Sequence, residues 1–189
     1  MGWFDWVRKP QQDDATPPRF RYHPDPLATG AITLSDAVCA CCGRARGFVY
    51  NGAPYSRQRD LGNRVCPWCI ADGSAASRYK ATFVSVSEID LPADKRRELF
   101  ERTPGYESWQ GENWLCHHND ACEFHGDATR EDLNALTEAE ETLFLRENDF
   151  IEDDWADMKA SHDPKASSYG VYKFRCRHCG LTRLGVDMS

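Results

Sequence analysis

The sequence predicts a small α+β fold that is held together by clustered cysteine residues. Three Cys-x2-Cys pairs occur in the chain, and a segment of β-forming residues separates the first two. Residues 120–163 combine spaced apolar residues with 15 acidic and only 3 basic residues, a pattern typical of solvent-facing helices. Because apolar residues make up 41% of the 189 residues, slightly below the usual fraction of about 45–50%, we expect a modest core that needs further cross-links.

The cysteine content indicates bound metal rather than disulfide bonds. The chain has nine cysteines, and its first residues lack the basic start and the apolar core of a secretory signal. In proteins that stay inside the cell, Cys-x2-Cys pairs bind metal more often than they form disulfides. No apolar run is long enough for a transmembrane helix. We therefore expect a cytoplasmic protein that has no membrane partner.

The first cysteine cluster has the order of parts of a treble-clef zinc site. Gly43 follows the first pair and allows a turn, or knuckle, that directs backbone amides at the sulfur atoms. Asn51-Gly52 lies between apolar β-forming residues and predicts a hairpin. The second pair opens a segment that can begin a helix, and a helix N-terminus favours thiolates. The predicted ligands are Cys39, Cys42, Cys66 and Cys69.

Four thiolates around zinc form a closed tetrahedral site with a structural role. The alternatives are four free core cysteines, or a redox role for Cys66 and Cys69. The strand–loop–helix context of a thioredoxin-like motif is not evident around that pair, which argues against the redox alternative. Cys41 is an additional thiol that we expect beside the site or in the core.

The segment between the cysteine clusters is predicted to contain one strand and one helix. Residues 80–91 alternate enough for a strand, and residues 92–102 indicate a helix with proline in its first turn. This helix is expected to end at residues 103–105, Thr-Pro-Gly. Upstream, His23 has no partner at ligand spacing, so we expect a hydrogen-bonded structural histidine. The aromatic residues expected to pack in the core around the metal sites are Tyr106, Trp109 and Trp114.

A second group of cysteines and histidines predicts another zinc site. It comprises residues 116–125 and the pair Cys176-x2-Cys179, which is again followed by a glycine. The long separation leaves the ligand set open, because spacing alone does not fix the pairing. The predicted ligands are Cys122, Cys176 and Cys179, with His118 or Cys116 as the fourth. We therefore expect two zinc ions per chain.

A catalytic alternative uses histidines of the same group. His117 and His125 are of the residue type that activates water beside a divalent ion in metal-dependent nucleases. Their spacing does not match a ββα-metal nuclease motif, and the acidic surroundings repel a DNA backbone. We therefore expect no enzymatic activity here.

The acidic segment is predicted to form helices with one apolar face. Residues 129–132 resemble a capping box, and Ile151, Trp155 and Met158 recur at helical spacing. The exposed acids form either a solvated surface that keeps the protein soluble or a surface for a basic partner. The residues of this acidic surface are Glu131, Asp132, Glu138, Glu140, Glu141, Glu147, Asp149, Glu152, Asp153, Asp154 and Asp157.

Several stretches of the chain resemble the bacterial CbrC family, over about residues 19–184. The family is associated with tolerance to a nuclease colicin, and the resemblance supplies no catalytic residues. In the family pattern Trp-x2-His-Cys-x-Asp-x-Cys, His118 stands where the first cysteine is expected. The resemblance therefore implies His118 with Cys122, Cys176 and Cys179, and leaves Cys116 as the other choice for the fourth ligand. The stretches that carry it are residues 20–30, 39–43, 66–76, 102–106, 109–111 and 174–180, with Trp114, His117, Asp120 and Cys122 matching the quoted pattern.

We expect three parts along the chain. Residues 1–18 form a flexible appendage, residues 19–90 form the treble-clef-like zinc module, and residues 91–189 form the acidic helical part with the second site. The last two are expected to make one continuous globule.

The resemblance and the charge pattern together imply a function. DNase toxins must be basic to hold a phosphate backbone, and an acidic surface gives fast, steered association with a basic protein. We therefore expect a non-enzymatic protein that confers tolerance or immunity to a nuclease-type toxin by binding it through the acidic surface. A nucleic-acid partner is disfavoured by the net charge of −7. The alternative is a regulatory or nucleic-acid-binding zinc module that uses Arg44, Arg46, Arg57, Arg59 and Arg64.

Overall fold

Short strands and short helices alternate along residues 16–85 and 89–188, which are the residues that the computed structural model describes. The mixed α+β class is therefore as predicted, while most of the predicted appendage, residues 1–18, lies outside the described residues. Within these ranges, no helix is long and apolar enough to cross a membrane. The elements are β1 (Ile32–Leu34), β2 (Phe48–Tyr50), α1 (Pro67–Ala71), α2 (Ser74–Tyr79), α3 (Ala93–Arg102), β3 (Cys116–His117), β4 (Asp120–Ala121), β5 (Glu123–Asp127), α4 (Arg130–Asn134), α5 (Glu138–Glu147), α6 (Glu152–Ser161), β6 (Tyr169–Arg175) and β7 (Thr182–Met188).

The N-terminal part packs a two-stranded sheet against two short helices. Strand β2 pairs antiparallel with β1, which precedes it, and the helix predicted after Cys66 is confirmed as α1 and α2. The hairpin predicted at Asn51-Gly52 is wrong, because the chain beyond Gly52 does not return along β2. Instead, Tyr55 forms an isolated bridge with Thr82. A Cβ atom on Gly52 would lie 2.4 Å from the Tyr50 hydroxyl, so glycine is needed there for a close approach rather than for a hairpin.

The middle of the chain contributes one helix and the central core. The predicted helix is confirmed as α3, which ends at Thr103. The strand predicted over residues 80–91 is reduced to the bridge at Thr82, and residues 86–88 lie outside the described residues. Two of the three aromatic residues expected in the core are buried, Tyr106 and Trp114, whereas Trp109 is 57% exposed.

The C-terminal part is a three-stranded antiparallel sheet, in the order β5-β6-β7, with helices α4 to α6 packed against it. Capping boxes begin α4 and α5, where Thr129 and Thr137 each bond the backbone amide three residues on and receive a reciprocal contact from the acid there. The first of these is the one the sequence predicts. Trp155 and Met158 of α6 are buried as expected, but Ile151 is an exposed N-cap residue.

The residues before β1 join the two halves of the chain. Tyr22 is fully buried in a cluster with residues of α3, β5 and β6, and its carbonyl accepts a 2.8 Å hydrogen bond from the Phe124 amide. The core residues of the predicted 19–90 module therefore continue into the core of the remainder.

His23 lies beside Tyr22 and is fully buried. Its Nδ1 is 2.9 Å from the Pro104 carbonyl oxygen and its Nε2 is 2.6 Å from the Thr29 hydroxyl. A neutral ring can donate at Nδ1 and accept at Nε2, which satisfies both contacts. Burial lowers the pKa of His23 from 6.5 to about 4, so the neutral form is the one that the fold accommodates.

We expect His23 to make stability depend on pH. Because the pKa is lower in the folded state, its contribution is complete above pH 6.5 and is lost as the pH falls towards 4, about 3 kcal/mol in all. Urea unfolding of His23→Gln between pH 7 and pH 5 should show a shallower loss of stability than the native chain. Equal slopes in the native chain and His23→Gln would contradict this assignment.

Candidate metal centres

Four cysteines from two segments of the chain converge at the first candidate centre. The sulfur atoms of Cys39, Cys42, Cys66 and Cys69 all lie within 4.8 Å of one another. The individual separations are 3.9 Å for Cys39–Cys69, 3.8 Å for Cys42–Cys66 and 3.6 Å for Cys66–Cys69. The structure thus brings all four predicted ligands of the first site together in an arrangement that could hold a metal ion.

The first pair lies on the tight turn that its sequence predicts. The Cys39 amide bonds the Arg44 carbonyl at 2.9 Å, and the Gly43 amide bonds the Cys39 carbonyl at 2.8 Å. Gly43 has φ +70°, in the left-handed region that glycine enters at little cost. The second pair begins α1, and there the Cys66 amide donates to the Cys39 sulfur at 3.3 Å. Backbone geometry therefore presents sulfur atoms from both sides.

Ionisation of all four thiols would give this cluster a large negative charge. Hydrogen bonds with Cys66 and Cys69 lower the pKa of Cys39, whereas hydrogen bonds with Cys39 and Cys66, together with burial, raise the pKa of Cys69. Without a metal ion, one ionised cysteine is therefore stabilised by neighbouring cysteines that keep their protons. Four thiolates at these distances require a multivalent cation between them, because their mutual repulsion is otherwise uncompensated.

Cys41 lies beside the first centre but outside its ligand group. Its side chain is buried and its sulfur is 3.6 Å from the Ser74 hydroxyl, while its carbonyl accepts a bond from Arg78. The prediction that it lies next to the site or in the core agrees with this placement.

The second candidate centre combines a hairpin with a second knuckle. Its members are His117, His118, Cys176 and Cys179, whose ligand atoms also lie within 4.8 Å of one another. His118 Nδ1 is 3.6 Å from the Cys176 sulfur, and His117 Nδ1 is 3.6 Å from the Cys179 sulfur. The knuckle repeats the hydrogen bonds of the first one: the Cys176 amide bonds the Leu181 carbonyl at 2.8 Å, and the Gly180 amide bonds the Cys176 carbonyl at 2.9 Å.

A two-residue turn connects β3 to β4 and carries one of the histidines. His118 and Asn119 both have φ +54°, as the two central residues of a type I′ turn require. Asparagine tolerates this conformation, but histidine adopts it at a cost that is commonly found at functional sites. The turn places His118 and the adjacent strand residue His117 on the same side as the knuckle.

The observed group differs from the predicted one at a single position, where His117 replaces Cys122. Cys122 is fully buried in the central core, and burial raises the pKa of its thiol to about 12. Cys116, the other predicted choice, also lies outside the group. Successive strand residues face opposite sides, so His117 and Cys116 of β3 cannot both face the knuckle.

The surroundings of Cys176 in the second knuckle favour the ionised form of its thiol. Burial opposes ionisation of Cys176, but bonds from His118 and from the backbone of Cys179 and His178 outweigh it and lower the pKa to about 5. Cys179 and His118 are exposed, so this centre is nearer to solvent than the first.

A buried carboxylate contacts the knuckle of the second centre. Asp120 is 1% exposed, and its Oδ2 lies 2.9 Å from His178 Nε2, within the knuckle. Its Oδ1 accepts a 2.7 Å bond from the Tyr22 hydroxyl. The pKa of Asp120 is lowered: burial opposes ionisation, but the bonds from Tyr22 and His178 and the charges of Arg21 and Lys95 outweigh it. The carboxylate thereby joins the N-terminal segment, α3 and the second knuckle.

Asp120 and His117 match the family pattern, but no structural role is predicted for Asp120, and His117 is not among the predicted metal ligands. The usable signal for His117 was the His-Asn pair at 118–119, since asparagine favours the left-handed conformation of a hairpin turn. His125, the second histidine of the nuclease alternative, lies outside both groups and faces Glu123 at 3.4 Å.

The predicted acidic surface divides into two classes of residue. Four of its acids make contacts within the protein: Asp132 with Lys173, Glu140 with the Thr182 amide, Glu141 with Lys159 and Glu147 with Arg183. Seven others are exposed, namely Glu131, Glu138, Asp149, Glu152, Asp153, Asp154 and Asp157.

The arginines of the alternative surface have mixed environments. Arg46 lies over the Trp68 ring at 4.3 Å, a cation–π contact that holds its side chain against α1. Arg57, Arg59 and Arg64 are exposed.

Comparison with known proteins identifies a family. A UPF0167 protein of Pseudomonas aeruginosa is 45% identical over 177 residues, covering 91% of this chain and 97% of that protein. UPF0167 proteins of Mycobacterium bovis and Mycobacterium tuberculosis are each 38% identical over 190 residues, covering 95% of this chain and 100% of theirs. No solved structure matches the chain. The sequence profile of the uncharacterised protein family UPF0167 matches residues 17–188, and the chain belongs to this bacterial family.

Proposed function

We propose that the protein is a two-zinc binding protein whose metal sites are structural and whose exposed acids engage a basic protein partner. The observation that carries the metal part is the spacing of the ligand atoms. Tetrahedral zinc with bonds of about 2.3 Å to sulfur and 2.0–2.1 Å to nitrogen requires S···S edges of about 3.8 Å and N···S edges of about 3.6 Å. The separations of 3.6–3.9 Å between sulfurs and of 3.6 Å between histidine nitrogen and sulfur fit these edges.

The donor sets favour zinc over other metals. A set of four thiolates suits zinc or iron, whereas two imidazoles with two thiolates in one compact group are typical of structural zinc. Each group supplies four protein ligands, which leaves no coordination position for a substrate or for an activated water molecule. The metal sites therefore support a binding role rather than a hydrolytic one.

We expect the purified protein to contain two zinc ions, with His117 rather than Cys122 as a ligand. Elemental analysis after gel filtration should give two zinc per native chain, about one for His117→Ala and two for Cys122→Ala. The alanine at position 122 leaves a small core cavity, so this variant should lose some thermal stability without losing metal. One zinc in Cys122→Ala with two in His117→Ala would restore the ligand set expected from the sequence. Iron in place of zinc would contradict the metal assignment.

The partner surface is the subset of acids that the fold does not use itself. Glu152, Asp153, Asp154 and Asp157 lie on α6 and are exposed, and Asp149 lies just before them. Asp132, Glu140, Glu141 and Glu147 are excluded from the proposed surface because internal bonds hold them. The proposed binding surface is therefore centred on the first turn of α6.

The partner class follows from the charge and from the resemblance to the CbrC family. Closely spaced carboxylates attract a basic surface over a long range and raise the association rate. A nuclease-type toxin carries such a surface, because it must hold a phosphate backbone. We therefore propose that the protein acts in the bacterial cytoplasm in tolerance to a toxin of this class.

The test is a titration of the zinc-loaded protein with a basic DNase toxin domain. The triple reversal of Glu152, Asp153 and Asp154 to lysine should weaken binding at least tenfold, and added salt should slow association with the native chain. The matched control reverses the exposed Asp36, Asp60 and Asp90, which produces the same change of net charge elsewhere. Equal loss in both variants would indicate a net-charge effect, and the absence of binding would contradict the toxin assignment while leaving the zinc assignment intact.

A further inference from the structure

A cleft of about 670 Å³ lies between residues near β1 and β2 and the loop that follows α3. It is lined by residues 29–31, 50–53 and 55 and by residues 105–108, 111 and 112. Its volume falls within the ~300–1,000 Å³ range of small-molecule sites, which commonly occur between structural units. It is separate from both metal centres, because none of their ligands lines it.

A buried carboxyl group lies in the wall of this cleft. Glu112 is 9% exposed, and its Oε2 accepts a 2.6 Å hydrogen bond from the Ser85 amide. A carboxylate has about four acceptor positions, and the Ser85 amide occupies one of them. Burial raises the pKa of Glu112 to about 7, although the hydrogen bond from the Ser85 amide acts in the opposite direction. Burial therefore disfavours the ionised form of Glu112, and a positive charge nearby would offset this cost in free energy.

Two glycines allow the backbone to approach polar side chains of the cleft closely. A Cβ atom at Gly105 would lie 1.9 Å from Glu112 Oε1, and one at Gly52 would lie 2.4 Å from the Tyr50 hydroxyl. The Tyr50 hydroxyl in turn bonds the Phe83 carbonyl at 3.2 Å. Any side chain at either glycine would displace the carboxyl group or the phenol, so the backbone is fitted to them.

Of the described side chains that line the cleft, those with a formal charge are acidic. Among the described residues, no lysine or arginine lines the cleft, while Glu107 and Glu112 both do. Tyr50, Tyr55 and Tyr106 also line the cleft, and the half-exposed ring of Tyr55 is available for contact with a cation. Phosphates and other anions are disfavoured in such an environment, whereas an amine, amidine or guanidine gains both a charge partner and aromatic contact.

We propose that this cleft binds a small organic cation, with Glu112 as the charge partner and the three tyrosines as its walls. The site is independent of the acidic surface on α6 and of both zinc sites. The cation replaces solvent beside Glu112 and donates a hydrogen bond to its carboxylate.

Benzamidinium, a planar cation, is a suitable probe, and benzamide is its neutral isostere. Chemical-shift titration of the zinc-loaded protein at pH 8 should show saturable benzamidinium binding at residues of the cleft and at least tenfold weaker binding of benzamide. Because the pKa of Glu112 is about 7, the ionised fraction falls roughly tenfold between pH 8 and pH 6, and affinity should fall with it. Tyr50, Tyr55, Tyr106 and Glu107 are the other titratable groups that line the cleft.

Glu112→Gln keeps the shape of the side chain and removes the charge, so benzamidinium affinity should fall at least tenfold. Asp36→Asn, which removes one carboxylate charge at an exposed position outside the cleft, should leave it unchanged. Thermal melting and zinc content identify a variant that fails to fold, and the pH titration of the native chain then decides alone. Saturation by benzamide equal to that by benzamidinium, no binding of either at pH 8, or affinity independent of pH would overturn the proposal.

Discussion

The constraint on which the structure depends is the convergence of cysteine and histidine side chains in two compact groups that could hold a metal ion. Each group takes two residues from a knuckle and two from a second segment of the chain. The described apolar residues form three separate clusters rather than one large core. Small clusters contribute limited burial free energy, so metal coordination at the two groups would add stability that the hydrophobic effect alone does not supply.

The first centre could be predicted from the sequence because its signals are local. Cys39, Cys42 and Gly43 specify a knuckle within five residues, and Cys66-Pro67 specifies a helix start. All four ligands then follow from the known chemistry of zinc. The α3 boundaries were accessible for the same reason, since Pro92 and residues 103–105 mark both ends.

The remaining features depend on contacts that are distant in the chain. Whether His117 or Cys122 faces the second knuckle is decided by the register of a two-residue strand, which no local pattern reports. The Asn51-Gly52 pair has the composition of a hairpin turn, but β2 already pairs with β1, and Gly52 accommodates Tyr50 instead. Glu112 and Asp120 resemble ordinary surface acids in the sequence, and only tertiary burial distinguishes them.

The two halves of the second centre lie far apart in the chain, since His118 and Cys176 are separated by 58 positions. A metal at this centre would therefore cross-link the two ends of a long loop. Helices α4 to α6 lie entirely within that loop. Lengthening a loop that is already long adds little closure entropy. The helical segment can thus diverge in length and surface chemistry during evolution while both ligand pairs stay in place. A metal bound at this centre would thus fix the two ends of the segment and leave its outer surface free to take part in binding.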